Sequence, residues 1–228
     1  MPTLDYSYAD GVARIVLDDG KVNAMSTELF KQMNACLDRA LADEAGAVVF
    51  CGREDFFSAG LNVKLMPTLS AGERREMSDA FARTMLRIYA LEVPTVAVVT
   101  GHAIAGGALL AFACDHRVAV DGAYRLQMNE MLIGLPLPGW AVLICEHGIA
   151  PAERTAALLH ARAYSPGEAL RLGMVHELVP DIGAGLDAAG RMTAEMLKLD
   201  RNAYAVTKRR MRQPAADRVL ALLDDEHV

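Results

Sequence analysis

Cysteine is scarce in this chain of 228 residues, and no two of the four cysteines stand close enough in the sequence to form a CxxC pair. Their wide spacing argues against a disulfide framework and a zinc site, and it favours reduced thiols in a cytoplasmic protein. The six histidines are equally scattered, so we expect no metal centre. The cysteines are Cys36, Cys51, Cys114 and Cys145.

Positively charged residues and long apolar runs are also scarce. With 23 lysines and arginines against 29 acidic residues, the net charge is −6, which argues against a nucleic-acid partner. Asp115 interrupts the longest apolar run before it reaches membrane-spanning length, so we expect no membrane partner. Neither Met1–Asp5 nor Asp224–Val228 carries a targeting pattern, which favours a bacterial cytoplasm.

One short segment is nevertheless dense in positive charge, and it contains Lys208, Arg209, Arg210 and Arg212. Such clusters are common on the solvated face of a terminal helix, which is the interpretation that we prefer. A contact with the phosphates of a bound molecule is the alternative.

Hydrophobic residues make up 53% of the sequence, enough for one well-buried domain with an appendage. Asp10–Gly11 lies between two alternating segments and predicts a hairpin. Ser26 is the predicted N-cap of a first helix, and a second helix runs from about Ala71 to Leu91. Beyond a predicted strand at Tyr124–Met128, the pattern is helical to the end except at Val175–Val179. We therefore expect an α/β core followed by a helical C-terminal region.

Two glycine-rich turns, each after a short apolar strand, are the most informative feature. Ala47–Cys51 precedes the turn in Phe57–Leu61, and Thr95–Val99 leads into the turn in Gly101–Ala108. Such turns can aim two backbone N–H groups at one oxygen. A thioester carbonyl that gains negative charge during a reaction needs such a pair of fixed donors, so the sequence predicts an enzyme of acyl thioesters. The alternative is that the turns only connect strands.

Five segments, in order, carry a resemblance to a known family: Val22–Ser26, Phe57–Leu61, Gly101–Gly107, Cys114–Ala119 and Ala169–Val175. The chain resembles the crotonase, or enoyl-CoA hydratase/isomerase, superfamily from the first hairpin to about Pro180. The resemblance implies a spiral of ββα repeats, with a catalytic core at residues 1–180 and a helical region for trimerisation or a lid at residues 181–228. It also implies an acyl-CoA thioester as the substrate, with coenzyme A as part of that substrate and no separate cofactor.

The resemblance further implies a homotrimer or homohexamer, for which apolar residues near the C-terminus offer surface. These are Met192, Met196, Leu197 and Leu199. The two oxyanion donors of the superfamily are main-chain amides, which correspond here to Leu61 and Gly107. Ala59, Gly60 and Gly106 are then expected beside the substrate.

Hydratases of the superfamily use two glutamates, and this chain keeps only one. Leu110 stands at the first position, three residues after Gly107, and Glu130 stands at the second. Two carboxylates can hold and deprotonate a water, whereas a double-bond shift needs one base that takes the α proton and returns it to the γ carbon. Asn129 and Trp140 bring the resemblance closest to the mitochondrial-type 3,2-trans-enoyl-CoA isomerases. We therefore expect conversion of 3-enoyl-CoA to trans-2-enoyl-CoA through an oxyanion-stabilised dienolate, with Glu130 as the proton shuttle.

Apolar neighbours should raise the pKa of Glu130 and strengthen it as a base. The expected neighbours are Leu110, Met128, Met131 and Trp140. Lys21 and Lys64 are candidate contacts for the phosphates of coenzyme A, although solvated lysines are an equal alternative. Hydration, thioester hydrolysis, decarboxylation and non-catalytic binding of acyl-CoA remain the other possible functions, and an exposed loop is the alternative for Glu130.

Overall fold

The computed structural model describes residues 4–223, so Met1–Thr3 and Asp224–Val228, on which the targeting predictions depend, lie outside the described residues. Within that range the strands are β1 (Leu4–Ala9), β2 (Val12–Leu17), β3 (Ala47–Cys51), β4 (Asp55–Ser58), β5 (Thr95–Val99), β6 (Gly101–Ile104), β7 (His116–Val120), β8 (Leu126–Gln127), β9 (Ala163–Tyr164) and β10 (Glu177–Val179). The α-helices are α1 (Thr27–Ala42), α2 (Ala71–Ala90), α3 (Gly106–Ala113), α4 (Gly139–Gly148), α5 (Pro166–Arg171), α6 (Ile182–Met196) and α7 (Arg201–Ala221). This alternation confirms the predicted α/β class.

The larger sheet has the strand order β1-β2-β3-β5-β7-β10. β1 and β2 form the predicted hairpin, and its turn residues Asp10 and Gly11 both have positive φ angles, 51° and 78°, as a type I′ turn requires. The remaining neighbours pair in parallel. β3 and β5 are buried along their whole length, because parallel strands in such folds are covered on both faces.

The smaller sheet has the order β4-β6-β8-β9, in which the first three strands are parallel and β9 is antiparallel. β3 leads into β4, β5 into β6 and β7 into β8, so each repeat gives one strand to each sheet before the next helix begins. The predicted spiral of ββα repeats is therefore confirmed. Its consequence for function is that three repeats end at the same edge of the smaller sheet.

Side-chain caps define where the first two long helices begin. The Ser26 hydroxyl accepts a hydrogen bond from the amide of Leu29, as predicted for the N-cap of α1. Ser70 and Glu73 form a capping box at the start of α2. α1 packs against β1 and α2, and α2 packs in turn against α3, α4 and α7.

Two segments differ from the sequence-based expectation. The predicted strand Tyr124–Met128 is reduced to β8, because the residues after Gln127 leave the sheet and enter a 3-10 turn at Glu130–Ile133. The C-terminal third also contains β9, which pairs with β8, in addition to the predicted β10. Two residues are too few to display an alternating pattern, so β9 has no recognisable sequence signature.

The last two helices pack on different parts of the core. α6 lies against the larger sheet, and α7 contacts α2 and α4. Met192 and Met196 pack onto the buried residues of β3 and β5, so of the apolar residues expected at a subunit contact only Leu197 and Leu199 are exposed. None of the helices within residues 4–223 is long and apolar enough to cross a membrane.

The prediction of a solvated basic face is wrong for two residues of α7. Lys208 and Arg212 are only 5% and 6% exposed. Each lies 2.6 Å from an oxygen of Asp115, the residue just beyond the end of α3. Residues four apart lie on one face of a helix, so this buried pair is separated from the exposed Arg209 and Arg210. The two buried cations neutralise an internal carboxylate instead of facing solvent or a bound phosphate.

Asp115 also accepts hydrogen bonds from the amide and hydroxyl of Thr95 and from the hydroxyl of Tyr204. Burial alone would raise the pKa of Asp115, but the nearby Lys208 and Arg212 and these hydrogen bonds outweigh it and hold the pKa below its usual value. The cluster thereby joins the end of α3, the start of β5 and the last helix.

Replacing Asp115 with Asn should lower the free energy of unfolding by about 3 kcal/mol at pH 7, because two buried cations lose their carboxylate. The depressed pKa means that the carboxylate stabilises the fold above its unfolded-state pKa and loses this effect as the pH falls through the native one. The difference between the unmodified protein and Asp115→Asn should therefore shrink in acid. Urea titrations from pH 3 to pH 8 measure it. Asp217→Asn, at an exposed site on α7, is the control, and a pH-independent or negligible loss at Asp115 would contradict the prediction.

Candidate active site

The site lies where three neighbouring parallel strands of the smaller sheet end. β4 is followed by Ala59–Leu61, β6 by Ala105–Gly107 and β8 by Met128–Glu130. Because the carboxyl ends of parallel strands meet at one edge of a sheet, the three segments come together there. The structure thus brings Leu61, Gly107 and Glu130 to the same edge.

The first glycine turn is held on both sides of Leu61. Gly60 has a φ angle of 79°, a conformation that favours glycine, and its carbonyl accepts a hydrogen bond from the amide of Met25. The amide of Asn62 in turn donates to the carbonyl of Met25. Among the hydrogen bonds of residues 4–223 none uses the amide of Leu61, which lies between these two bonds.

The second glycine turn ends at the first residue of α3. Ala105 has a φ angle of 50° and turns the chain from β6 directly into the helix. The amides at the start of an α-helix have no partner within the helix and carry the positive end of its dipole, so the amide of Gly107 is available to an anion. All eight residues of α3 are buried.

The two turns touch each other at positions where no side chain would fit. A Cβ at Gly60 would lie 2.7 Å from the amide nitrogen of Gly106, and a Cβ at Gly107 would overlap the carbonyl oxygen of Ser58. Glycine at these positions therefore permits the close approach of the two backbones. The amides of Leu61 and Gly107 belong to the two turns that make this contact, and a pair of fixed main-chain donors is what an oxyanion needs.

Glu130 begins the 3-10 turn that follows β8. Its Oε2 atom is buried and has no hydrogen-bond partner, and the same is true of Oδ1 of the preceding Asn129. Burial raises the pKa of Glu130 above its ordinary value. Unsatisfied buried acceptors are costly, and two in succession are typical of a functional site rather than of a packed core.

The apolar residues that we expect around Glu130 differ in their exposure. Leu110 has no exposed surface, and it lies one turn after Gly107 on α3. Met128 is 3% exposed, whereas Met131, the residue that follows Glu130, is 37% exposed. Trp140 is buried against the edge of Phe81, with ring centroids 4.9 Å apart. A Cβ at Gly106 would come within 2.9 Å of the Phe81 ring, so Trp140 supports the glycine turn through this ring.

The two candidate lysines lie on the surface. Lys21 and Lys64 are exposed, and neither takes part in the ion pairs of the described residues. His102, which could have been considered as a base, packs between Phe56 and Tyr124, and its Nδ1 accepts a hydrogen bond from the amide of Arg125. Burial lowers the pKa of His102, in keeping with a neutral packed ring.

Sequence reasoning missed two buried polar residues beside the first turn. Asn23 and Ser58 are 2% and 0% exposed. The Ser58 hydroxyl accepts a hydrogen bond from the amide of Gly60, and the Asn23 side chain donates to the carbonyls of Phe56 and Phe57. Both lie in segments that the sequence analysis uses for another purpose. Asn23 precedes the predicted N-cap Ser26, and Ser58 precedes Gly60 in the first glycine turn. A short polar side chain at the end of an apolar strand is the pattern that could have indicated them.

Comparison with known proteins identifies the group to which the chain is related. The family model described as enoyl-CoA hydratase/isomerase matches residues 7–227. Mitochondrial enoyl-CoA delta isomerase 1 of Mus musculus is 30% identical over 213 residues, which are 92% of this chain and 73% of that protein. A probable enoyl-CoA hydratase of Mycobacterium avium is 30% identical over 207 residues, which are 90% of this chain and 79% of that protein.

Solved structures give the same result. Human mitochondrial delta3-delta2-enoyl-CoA isomerase has a TM-score of 0.91 at 26% identity, over 99% of this chain and 89% of that chain. An enoyl-CoA hydratase from Mycobacterium marinum has a TM-score of 0.91 at 29% identity, over 100% of both chains. The similar proteins thus include both isomerases and hydratases.

Replacing Glu130 with Gln should stabilise the protein at pH 8 by about 1 kcal/mol, because an ionised buried carboxylate with an unpaired oxygen is removed. The raised pKa means that the neutral acid is the form the fold prefers, so stability of the unmodified protein is lost as the pH rises through that pKa. The difference in stability between Glu130→Gln and the unmodified protein should therefore disappear as the pH is lowered. Thermal melting between pH 5 and pH 8 measures it, with exposed Glu54→Gln as the control. Equal melting of both proteins at pH 8 would contradict a buried ionised base.

Proposed function

Because the chain belongs to the enoyl-CoA hydratase/isomerase family and is an enzyme of that family, we propose that it is an isomerase that converts 3-enoyl-CoA to trans-2-enoyl-CoA. One observation carries the proposal. Glu130 is the single glutamate among the predicted catalytic positions, and the position where a second carboxylate would assist with water holds the fully buried Leu110.

The proposed reaction uses one base and one pair of donors. Glu130 removes a proton from the α carbon, and the electron pair passes into the thioester carbonyl to give a dienolate. The dienolate oxygen accepts hydrogen bonds from the amides of Leu61 and Gly107. Glu130 then returns the proton to the γ carbon, the carbonyl re-forms, and the double bond lies between the α and β carbons. The elevated pKa of Glu130 suits it for abstracting a proton from carbon.

Hydration is the second candidate, and one feature favours it besides the names of several relatives. Oδ1 of Asn129 and Oε2 of Glu130 are neighbouring buried acceptors without partners. A water molecule donating to both would be oriented for attack on the β carbon of a 2-enoyl-CoA. Isomerisation is preferred because an amide cannot take the second proton-transfer role that a second glutamate performs.

The finer features of substrate binding are also proposals. Ala59, Gly60 and Gly106 would contact the thioester through their backbones, with Asn129 and Trp140 shaping the acyl pocket. Lys21 and Lys64, exposed on the surface, would attract the phosphates of coenzyme A, which is the only cofactor-like group that the proposed reaction needs. A cytoplasmic location remains a prediction.

Ultraviolet absorbance distinguishes the two reactions. With 3-hexenoyl-CoA an isomerase should create the absorbance of a conjugated enoyl thioester, whereas with crotonyl-CoA a hydratase should remove it. We expect the first activity to dominate, and we expect Glu130→Gln to lower it about a hundredfold, the usual effect of losing a positioned general base. Glu54→Gln should retain it.

Crotonyl-CoA hydration as fast as isomerisation would overturn the choice of reaction. Near-normal isomerisation by a folded Glu130→Gln variant would place the base elsewhere.

A homotrimer or homohexamer is the assembly that we propose, on the basis of the family resemblance. Besides Leu197 and Leu199, large apolar side chains are exposed just after Glu130 and on α7, with Leu132 at 69% and Met211 at 73%. Apolar surface of this kind is usually covered in an assembly. Light scattering at micromolar concentration should give three or six times the mass of one chain. A monomeric mass would reject the proposal.

A further inference from the structure

Ser58, the last residue of β4, makes two hydrogen bonds with one buried hydroxyl. Its Oγ donates to the carbonyl of Asn23 at 2.7 Å and accepts from the amide of Gly60 at 3.1 Å. A hydroxyl can donate and accept at once, whereas an aliphatic side chain can do neither. Removing it would leave a buried carbonyl and a buried amide unpaired on either side of the first glycine turn.

Hydrogen bonds of the Asn23 side chain fix the residue whose carbonyl accepts from Ser58. Its Nδ2 donates to the carbonyls of Leu17, Phe56 and Phe57 at 2.8, 3.1 and 3.1 Å, and its Oδ1 accepts from the amide of Asp19 at 2.9 Å. The residue has a φ angle of 52°, a conformation that asparagine tolerates better than most residues. The carbonyl that receives the Ser58 hydroxyl is therefore fixed on several sides.

Ser58 also touches the second glycine turn, through its backbone. Its carbonyl oxygen lies so close to Gly107 that a Cβ there would overlap it. One residue thus contacts Gly60, which directly precedes one predicted oxyanion donor, and Gly107, which is the other.

We infer that Ser58 is a positioning residue that fixes the separation of the amides of Leu61 and Gly107. This inference rests on the proposed function, in which both amides bind the oxygen of the dienolate. If the Gly60 amide is released from the hydroxyl, the Ala59–Gly60 peptide loses this restraint, and the adjoining peptide that carries the Leu61 N–H can shift with it although its carbonyl still accepts from the amide of Met25. Donors that are displaced by a fraction of an ångström still bind the ground-state carbonyl, but they stabilise the developing charge less.

The kinetic test compares Ser58→Ala with Thr193→Val. Thr193 is a matched control because its hydroxyl is also buried and donates to a carbonyl, that of Ala189, but it lies within α6. With 3-hexenoyl-CoA, Ser58→Ala should lower kcat by at least about tenfold and change KM by less than about twofold. Thr193→Val should leave both kcat and KM unchanged, even if its melting temperature falls as much as that of Ser58→Ala. Unchanged kcat in a folded Ser58→Ala variant would overturn the inference.

An infrared measurement separates this inference from the function on which it rests. The stretching frequency of the thioester carbonyl of bound hexanoyl-CoA, labelled with carbon-13, reports how strongly the two amides polarise it. The unmodified protein should shift this band to lower frequency, and Ser58→Ala at saturating ligand should shift it less. No shift in the unmodified protein would count against the proposed oxyanion site. A full shift in both proteins would refute the role of Ser58 but not the proposed oxyanion site.

If Ser58→Ala does not fold, Ser58→Cys replaces it in both measurements. A thiol is a weaker donor and acceptor than a hydroxyl, so kcat and the carbonyl shift should fall between those expected for serine and for alanine. Values equal to those of the unmodified protein would contradict the inference.

Discussion

The close contact between two backbone turns is the constraint on which the rest of the site depends. Gly60 and Gly106 approach each other so closely that a single methyl group would separate them, and Gly107 abuts the carbonyl of Ser58 in the same way. Parallel pairing of β4 with β6 brings the turns to one edge, and the spiral of repeats supplies that pairing. The architecture therefore positions main-chain groups, which leaves the side chains of the pocket free to differ among relatives with different reactions.

The polar groups at the two ends of α3 differ in whether they have bonding partners. Beyond its last residue, Asp115 is matched by Lys208, Arg212 and several neutral donors. At its first turn, the amide of Gly107 has no hydrogen-bond partner within the described residues, and Oε2 of Glu130, at the same edge of the smaller sheet, has none either. The C-terminal end of α3 thus stabilises the fold, while its N-terminal end keeps an unsatisfied amide that the proposed substrate would use, a division expected where activity competes with stability.

Local patterns in the sequence were sufficient for the parts of the fold that depend on local chemistry. The hairpin at Asp10–Gly11 and the Ser26 cap follow from the turn and capping preferences of single residues, and the glycine turns indicated the edge where Leu61, Gly107 and Glu130 meet. The burial of Lys208 was not predictable, because a lysine beside arginines on a terminal helix has the same pattern whether or not a distant carboxylate faces it. The contact of Ser58 with Asn23 was missed for the same reason, since its partner is 35 positions away.

The ion cluster around Asp115 also bears on the order in which the protein becomes complete during synthesis. The carboxylate precedes Lys208 by 93 positions and precedes Arg212 by still more, so it leaves the ribosome well before its two cations. Until both cations have been made, burial of the Asp115 carboxylate is unfavourable because it has no charged partner. α3 therefore cannot adopt its final packing before α7 is present. The helix that contains Gly107 therefore depends on α7, which is made later than α3.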